Sequence, residues 1–470
     1  MDRKIILFEL NEVPMTIVHR YVDWRPDSTL ARTLPRFRRY ITQAEDQSPL
    51  SPWTTWPSLH RGVVDSRHGV LEFGQDLQEV DREFPPVWRI LADSGVSTGV
   101  CGSLHSYPLP EQMEGYAFYL PDTFAAGSEC FPRVLSSFQE FNLAVARTSA
   151  RNVSTAVPWG SALRMLRAAP ELGLRLGTIT DIGKQLATER LRQWRRIRRR
   201  TYQAVLAFDI YYEQLKRTEP GFSTFFTNHV ASSMHRYWAA TFPDDYETNG
   251  FDARWIRRFR NEIEFTMSRF DEFLTRLVGF VEARDEYQVW IATSMGQEAT
   301  TAEPVATQVY ARDLNKLMEA LGMPPGAWEE RPAMAPQVNV RVADDHLETL
   351  RTALDRLTID GQPVAYRVAP GRLVSIAFGH VNLEPDRQRA LLGGDTVGFA
   401  DLGLENVTIE DQSGTSAYHV PEGCMLIYDP RDLSLKNEGP RISTLDVAPS
   451  LLRNFSVQRP AYMNRGVELA

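Results

Sequence analysis

Short apolar runs alternate along the chain with longer stretches of helical periodicity, and the runs end in polar residues. Residues 4–10 form the first run and read as a buried strand; Asn11-Glu12 and a helix over 14–24 follow. The rhythm continues with a helix over 85–94, a strand over 96–102 and a mostly helical stretch over 132–218. A strand over 221–227, a long helix over 254–284 and a strand over 287–292 come next. This alternation predicts an α/β fold, a doubly wound mostly parallel sheet with helices on both faces. From 301 to 380 the pattern changes. Strands over 337–342, 365–368 and 373–378 surround a helix over 344–357, which predicts a small α+β cap insertion. Residues 381–411 are rich in loop-forming types, and the chain then returns to the core. The expected organisation is a core over 1–300 with a helical insertion at 132–218, a cap over 301–380, and core completion over 381–470.

Composition narrows the classes. The 470 residues are 43% hydrophobic and 24% charged, which is globular. A formal net charge of −8 gives no reason to expect nucleic acid as a partner. Three cysteines do not make a disulfide framework and fit a reducing compartment. No apolar run reaches the ~18 residues of a membrane span, and the first run is too short for a signal peptide. These features predict a cytoplasmic protein without a transmembrane segment. The basic run 190–200 reads either as a solvated helix face or as a contact for an anionic surface, such as phospholipid headgroups or a polyphosphate.

Candidate chemistry lies where strands end, because ligands of doubly wound sheets gather outside the carboxyl ends of the strands. Asn11 and Glu12 follow the first strand, with Glu12 either facing the site or capping the next helix. Thr54 and Thr55 precede the helical Ser58-Leu59-His60-Arg61-Gly62, with His68-Gly69 six residues further on. They are either a nucleophilic hydroxyl at a helix amino terminus or a cap. His105 stands on the loop after 96–102. Asn228, His229 and His235 follow 221–227, and Thr293-Ser294-Met295-Gly296 follows 287–292. Last comes His419 in Gly414-Thr415-Ser416-Ala417-Tyr418-His419-Val420-Pro421-Glu422-Gly423, ahead of another apolar run and a helix opening at Ser443.

The order and spacing of these segments resemble the alkaline phosphatase-like superfamily, in its type I phosphodiesterase/nucleotide pyrophosphatase branch. The resemblance covers 1–130, 220–300 and 412–470. It implies two metals, bound by a first-strand aspartate, a helix-start hydroxyl, an Asp-x-x-x-His pair, an Asp-His pair and a final histidine. This chain departs from the pattern. Asn11 replaces the first aspartate, Ala231 stands four residues before His235, and Ser294-Met295 replace the Asp-His pair. A dication on that side would lack anionic oxygens. The expectation is therefore one divalent metal, zinc, held by His229, His235 and His419. Thr54 or Thr55 would be catalytic, and Asn11, Glu12, His105 and Ser294 would line the substrate. The function expected is a metal-dependent hydrolase or transferase acting on a phosphodiester or related anionic ester. The alternatives are an inactive member binding an anionic small molecule, such as a nucleotide sugar or glycan precursor, and an interaction protein using its Arg-rich helix.

Overall fold

The computed structural model describes residues 3–148, 152–153, 158–467 and 469. An eight-stranded sheet forms its centre, from β1 (Lys4–Leu10), β2 (Arg38–Gln43), β3 (Thr98–Cys101), β4 (Tyr116–Leu120), β5 (Phe222–Thr227), β6 (Tyr287–Ala292), β7 (Glu422–Tyr428) and β8 (Ile442–Ser443). The spatial order is β8-β2-β7-β6-β1-β5-β3-β4. Only β7 runs antiparallel to its neighbours, so the sheet is mostly parallel.

Alternation along β1 sends Ile6, Phe8 and Leu10 into one apolar layer and Ile5 and Leu7 into the other. The first layer receives α1 (Met15–Trp24) through Ile17, Val18 and Tyr21. The second receives α2 (Pro52–Arg61) through Trp56 and Leu59, together with Leu451 and Leu452 near the carboxyl terminus. Helices on both faces bury the sheet, which is why its central strands read as apolar runs. On the first face, α3 (His229–Thr241) and α4 (Glu262–Glu282) add Met234, Met267 and Phe270. The helix expected over 254–284 breaks near Arg260–Asn261 into Ala253–Phe259 and α4.

A separate core, from Val309 to Leu404, gathers two four-stranded antiparallel sheets and a two-stranded ribbon. The stretch 381–411, read as loops, contributes strands Arg389–Leu392, Asp395–Gly398 and Leu404–Thr408. These strands are short, with few buried positions, so their periodicity is weak. The unit is latched to the main body around Glu72. Arg367 pairs with the Glu72 carboxylate, Gln337 donates to it at 2.8 Å, and Asn339 donates to the Phe73 carbonyl at 2.8 Å.

The basic run differs from the solvated helix face predicted for it. Gln193–Arg198 forms a 3-10 turn leading into the helix at Arg199, and three arginines of this stretch pair within the chain, while Arg190 and Arg192 stay exposed. Arg196 pairs with Glu410 at 2.8 Å, Arg198 with buried Glu262 at 2.7 Å, and Arg199 with buried Glu189 at 2.8 Å. Scattered acidic residues, distant in sequence, turn the run inward. Among the described residues, no helix is long and apolar enough to cross a membrane.

Candidate metal centre

Register brings the strand ends together. Leu10 pairs with Thr227, and Glu9 pairs with Ala292, so Asn11-Glu12, Asn228-His229 and Thr293-Ser294 leave the sheet along one edge. The amino end of antiparallel β7 reaches the same edge, carrying His419 on the preceding strand Ala417–Val420. That strand pairs with Gly296–Ala299 and sets His419 opposite Gln297. Gly296 permits the close approach, since a Cβ there would lie 2.1 Å from the Glu422 carbonyl oxygen.

Glu12, His235 and His419 offer one ligand atom each within 4.8 Å of one another. Glu12 Oε2 lies 2.9 Å from His235 Nε2 and 3.4 Å from His419 Nε2. Both imidazoles are oriented from behind. His235 Nδ1 donates to the Ala417 carbonyl at 2.8 Å, and His419 Nδ1 donates to the Leu50 carbonyl at 2.7 Å. With Nδ1 engaged in this way, each Nε2 faces the carboxylate, where it pairs with Glu12 when protonated and offers a lone pair to a metal when not, the orientation metal-binding histidines use. The carboxylate is held too. Asn11 Nδ2 donates to Glu12 Oε1 at 2.6 Å, and Gln297 Nε2 donates to Oε2. Glu12 sits at φ 59°, a left-handed conformation uncommon for a residue with a Cβ.

Electrostatics follow from this packing. Burial alone would raise the pKa of Glu12, but His419 and His235 hold it well below the carboxylate range. Burial alone would lower the pKa of His419, and Glu12 raises it above the usual value. The donor set fits a metal. Ligands of one tetrahedral centre with bonds of about 2.0–2.1 Å stand about 3.3 Å apart, close to the spacings here. Two imidazoles and a carboxylate form a catalytic zinc set that keeps a fourth position open. His235, 23% exposed, is the most accessible of the three, and Tyr418 stacks on His419 at 4.2 Å while half-exposed itself.

His229, expected as the third imidazole, does not join this cluster. Its Nδ1 lies 2.7 Å from Thr227 Oγ1 and its Nε2 3.2 Å from the Thr266 carbonyl, and burial pushes its pKa down to about 4. It opens the same helix that carries His235. Six residues at about 100° each turn the two rings roughly 240° apart, toward different neighbours. Glu12 takes its place. Gln297 was not singled out from the sequence; the one signal was a polar residue directly after the Gly296 turn. It also donates to the carbonyl of Ala231, the residue without a ligating atom, at 3.3 Å.

The hydroxyl side is neutral. Thr55 Oγ1 lies 2.8 Å from Ser294 Oγ and 3.2 Å from the Ser51 carbonyl, and Thr54, Thr55 and Ser294 are fully buried. Ser51 is the residue that precedes α2, so Thr54 and Thr55 lie within the helix and cap nothing. Asn11 joins the two sides. Its Oδ1 accepts from Trp56 Nε1 at 2.7 Å, and its Nδ2 also reaches Asn228 Oδ1 at 2.8 Å. His105, in a left-handed turn at φ 60°, donates from Nε2 to the Trp53 carbonyl at 2.8 Å and stacks on Phe73. Burial pushes its pKa down to about 3. Beneath these residues, His68 Nδ1 accepts from the Val70 N–H, so its Nε2 donates to Ser58 Oγ at 2.9 Å. Ser58 in turn donates to Asp46, whose pKa burial pushes up to about 6.

Fold and site define an α/β protein with a two-histidine, one-carboxylate centre at the carboxyl edge of its sheet. No family model and no curated protein matches the chain. Solved structures do. Phosphonoacetate hydrolase from Sinorhizobium meliloti 1021, in complex with phosphonoformate, is 13% identical over 96% of each chain, with a TM-score of 0.44. Murine ectonucleotide pyrophosphatase/phosphodiesterase 5, as an inactive variant with AMP, is 10% identical over 98% of this chain and 97% of that one, with a TM-score of 0.42. The human counterpart is 9% identical over 99% and 97%, with a TM-score of 0.40. The motifs around Ser58, His235 and His419 resemble the alkaline phosphatase-like superfamily on the sequence itself. At such identities the choice of metal and substrate rests on the residues described above.

Proposed function

We propose that the protein is a hydrolase or transferase acting on a phosphodiester or related anionic ester, using one divalent metal, zinc, held by Glu12, His235 and His419. The observation that carries this reading is the convergence of three donor atoms whose outer hydrogen bonds already orient them. Such a cation supplies Lewis acidity, polarising an anionic ester and lowering the pKa of water to about 7. Glu12 contributes the one negative charge, and Asn11 and Gln297 keep its oxygens aimed. The Thr55–Ser294 pair is the candidate nucleophile side, with Thr55 donating to the Ser51 carbonyl and in that arrangement accepting from Ser294 Oγ. The neutral amide of Asn11 links the two sides without adding charge. Three free cysteines, Cys101, Cys130 and Cys424, are in keeping with a cytoplasmic location.

A second reading has one specific observation in its favour, the complete burial of Thr54, Thr55 and Ser294. On that reading the protein binds an anionic ligand, such as a nucleotide sugar or glycan precursor, without turning it over. Elemental analysis and turnover of a chromogenic phosphodiester decide between them. The enzyme reading expects one metal per chain, and turnover that is lost in Thr55→Val with the metal retained. Saturable nucleotide binding by metal-loaded protein without turnover would select the second reading, and a stoichiometry of two would overturn the one-metal site.

A further inference from the structure

Between 158 and 200 the chain holds eleven lysines and arginines against three acidic residues, a net of +8, which leaves −16 on the remainder. Although the run 195–200 is largely paired internally, a second set of arginines in this segment faces outward beside apolar side chains. The helix Trp159–Arg167 turns Ser161, Ala162 and Met165 inward. Trp159, Leu163 and Leu166 follow one another at i, i+4 and i+7 on the other side and are 71%, 50% and 45% exposed. Arg164 and Arg167 lie beside them, both exposed, with Arg164 reaching only the surface carboxylate of Glu140 at 2.8 Å.

The next helix, Leu176–Leu191, repeats the inversion. Its buried positions are polar: Thr178, which donates to Asp209 at 2.5 Å, Gln185, which donates to Glu189 at 2.9 Å, and Glu189, which pairs with Arg199. These contacts fix how the helix is rolled and leave Leu176 and Leu191 outside, 82% and 88% exposed. Exposed Arg175 directly precedes Leu176. Apolar residues therefore face solvent here because polar pairs hold the inner face.

We propose that this face docks on an anionic lipid surface. Trp159, Leu163 and Leu166 enter the boundary between headgroups and acyl chains, while Arg164, Arg167 and Arg175 meet lipid phosphates. Charge complementarity selects the occupant, since Arg164, Arg167 and Arg175 stand exposed beside the apolar stripe on an otherwise acidic chain and favour a negative surface. A Trp and Leu stripe suits the edge of the acyl layer, whereas a phosphodiester backbone is met mainly by basic and polar side chains. The helix has nine residues, so it lies in the interface and does not span. The inference is independent of the metal centre.

Co-sedimentation of the full chain with phosphatidylcholine vesicles, with and without phosphatidylserine, tests it. Wild type should pellet with the phosphatidylserine vesicles and stay in solution with the neutral ones. Each basic residue near such a surface contributes roughly fivefold, so Arg164→Glu/Arg167→Glu/Arg175→Glu should lower binding by about a hundredfold. Trp159→Gln/Leu163→Gln/Leu166→Gln should lower it by at least about tenfold. Both variants change exposed side chains and should keep the metal content and circular dichroism of the wild type. Failure of wild type to pellet, or equal pelleting of the apolar variant, would overturn the proposal. A wild-type dimer that becomes monomeric in the apolar variant would assign the face to a second copy of the chain instead.

Discussion

On one side of the strand-end loop Glu12 meets His235 and His419; on the other, Thr55 and Ser294 share a hydrogen bond between neutral hydroxyls. Each side has a buried or half-buried carboxyl group within reach, and the two have their pKa values moved in opposite directions. Imidazoles keep Glu12 well below the carboxylate range, while burial lifts Asp46, beneath the hydroxyl helix, to about 6. Two neighbouring regions of one sheet edge therefore carry opposite electrostatic designs. A cation needs anionic donors to offset its lost hydration, and on the histidine side Glu12 supplies one beside two imidazoles, whereas Asp46 is engaged by the Ser58 hydroxyl. The Asn11 amide spans the two, donating to the carboxylate and accepting from Trp56.

The largest effect should come from the ligands. Glu12→Gln and His419→Ala should each weaken metal binding by more than about 100-fold, beyond the 10–100-fold typical of an outer contact. Ser294→Ala should leave it within about threefold. Competition against a zinc chelator measures all three, and equal losses on both sides would erase the distinction. An intermediate effect is expected at Gln297, which aims Glu12 without being one of the three donors. Gln297→Ala should weaken binding by about 10–100-fold and leave the stoichiometry at one. A null result there would mean that Asn11 alone positions the carboxylate.

The smallest effect should be seen at Asp46, in stability. An acid whose folded-state pKa stands above its unfolded value costs stability as it ionises, so stability is lost as pH rises from about 4 to about 6. Asp46→Asn removes that titration. The variant should gain on wild type across this window by on the order of 1–3 kcal/mol, read from urea unfolding at several pH values. A pH-independent difference would show that Asp46 is ionised in the folded protein like an ordinary surface carboxylate.

Much of the fold was legible because buried strands leave continuous apolar runs. β1, β5 and β6 were read within a residue or so of their ends, from hydrophobicity alone. The site was legible in two ways: Glu12 from its place at a strand end, and His235 and His419 from the resemblance to the superfamily's histidine motifs. Their grouping was not. His229 was set beside His235 by nearness in sequence, and helical rotation separates them. Gln297 reaches the site through a ribbon with a strand more than a hundred residues away, a pairing that no local pattern encodes. The arginines of 195–200 were misread for the same reason, since Glu189, Glu262 and Glu410 meet them only in three dimensions.

The position of β7 between β2 and β6 has a consequence for the order in which the molecule comes into being. A nascent chain folds from its amino terminus, at roughly 5–20 residues per second. Through most of that time β2 and β6 have no strand between them, and each presents an unpaired edge of the kind that recruits other strands. The strand that closes the gap follows three residues behind His419, so sheet closure and delivery of the last metal ligand are nearly one event. A chain stopped before residue 419 lacks both this strand and the third donor, and it leaves β2 and the facing edge of β6 unpaired. A complete donor set thus marks a chain that has reached the threshold of β7, and release before that point leaves open strand edges of the kind that self-associate.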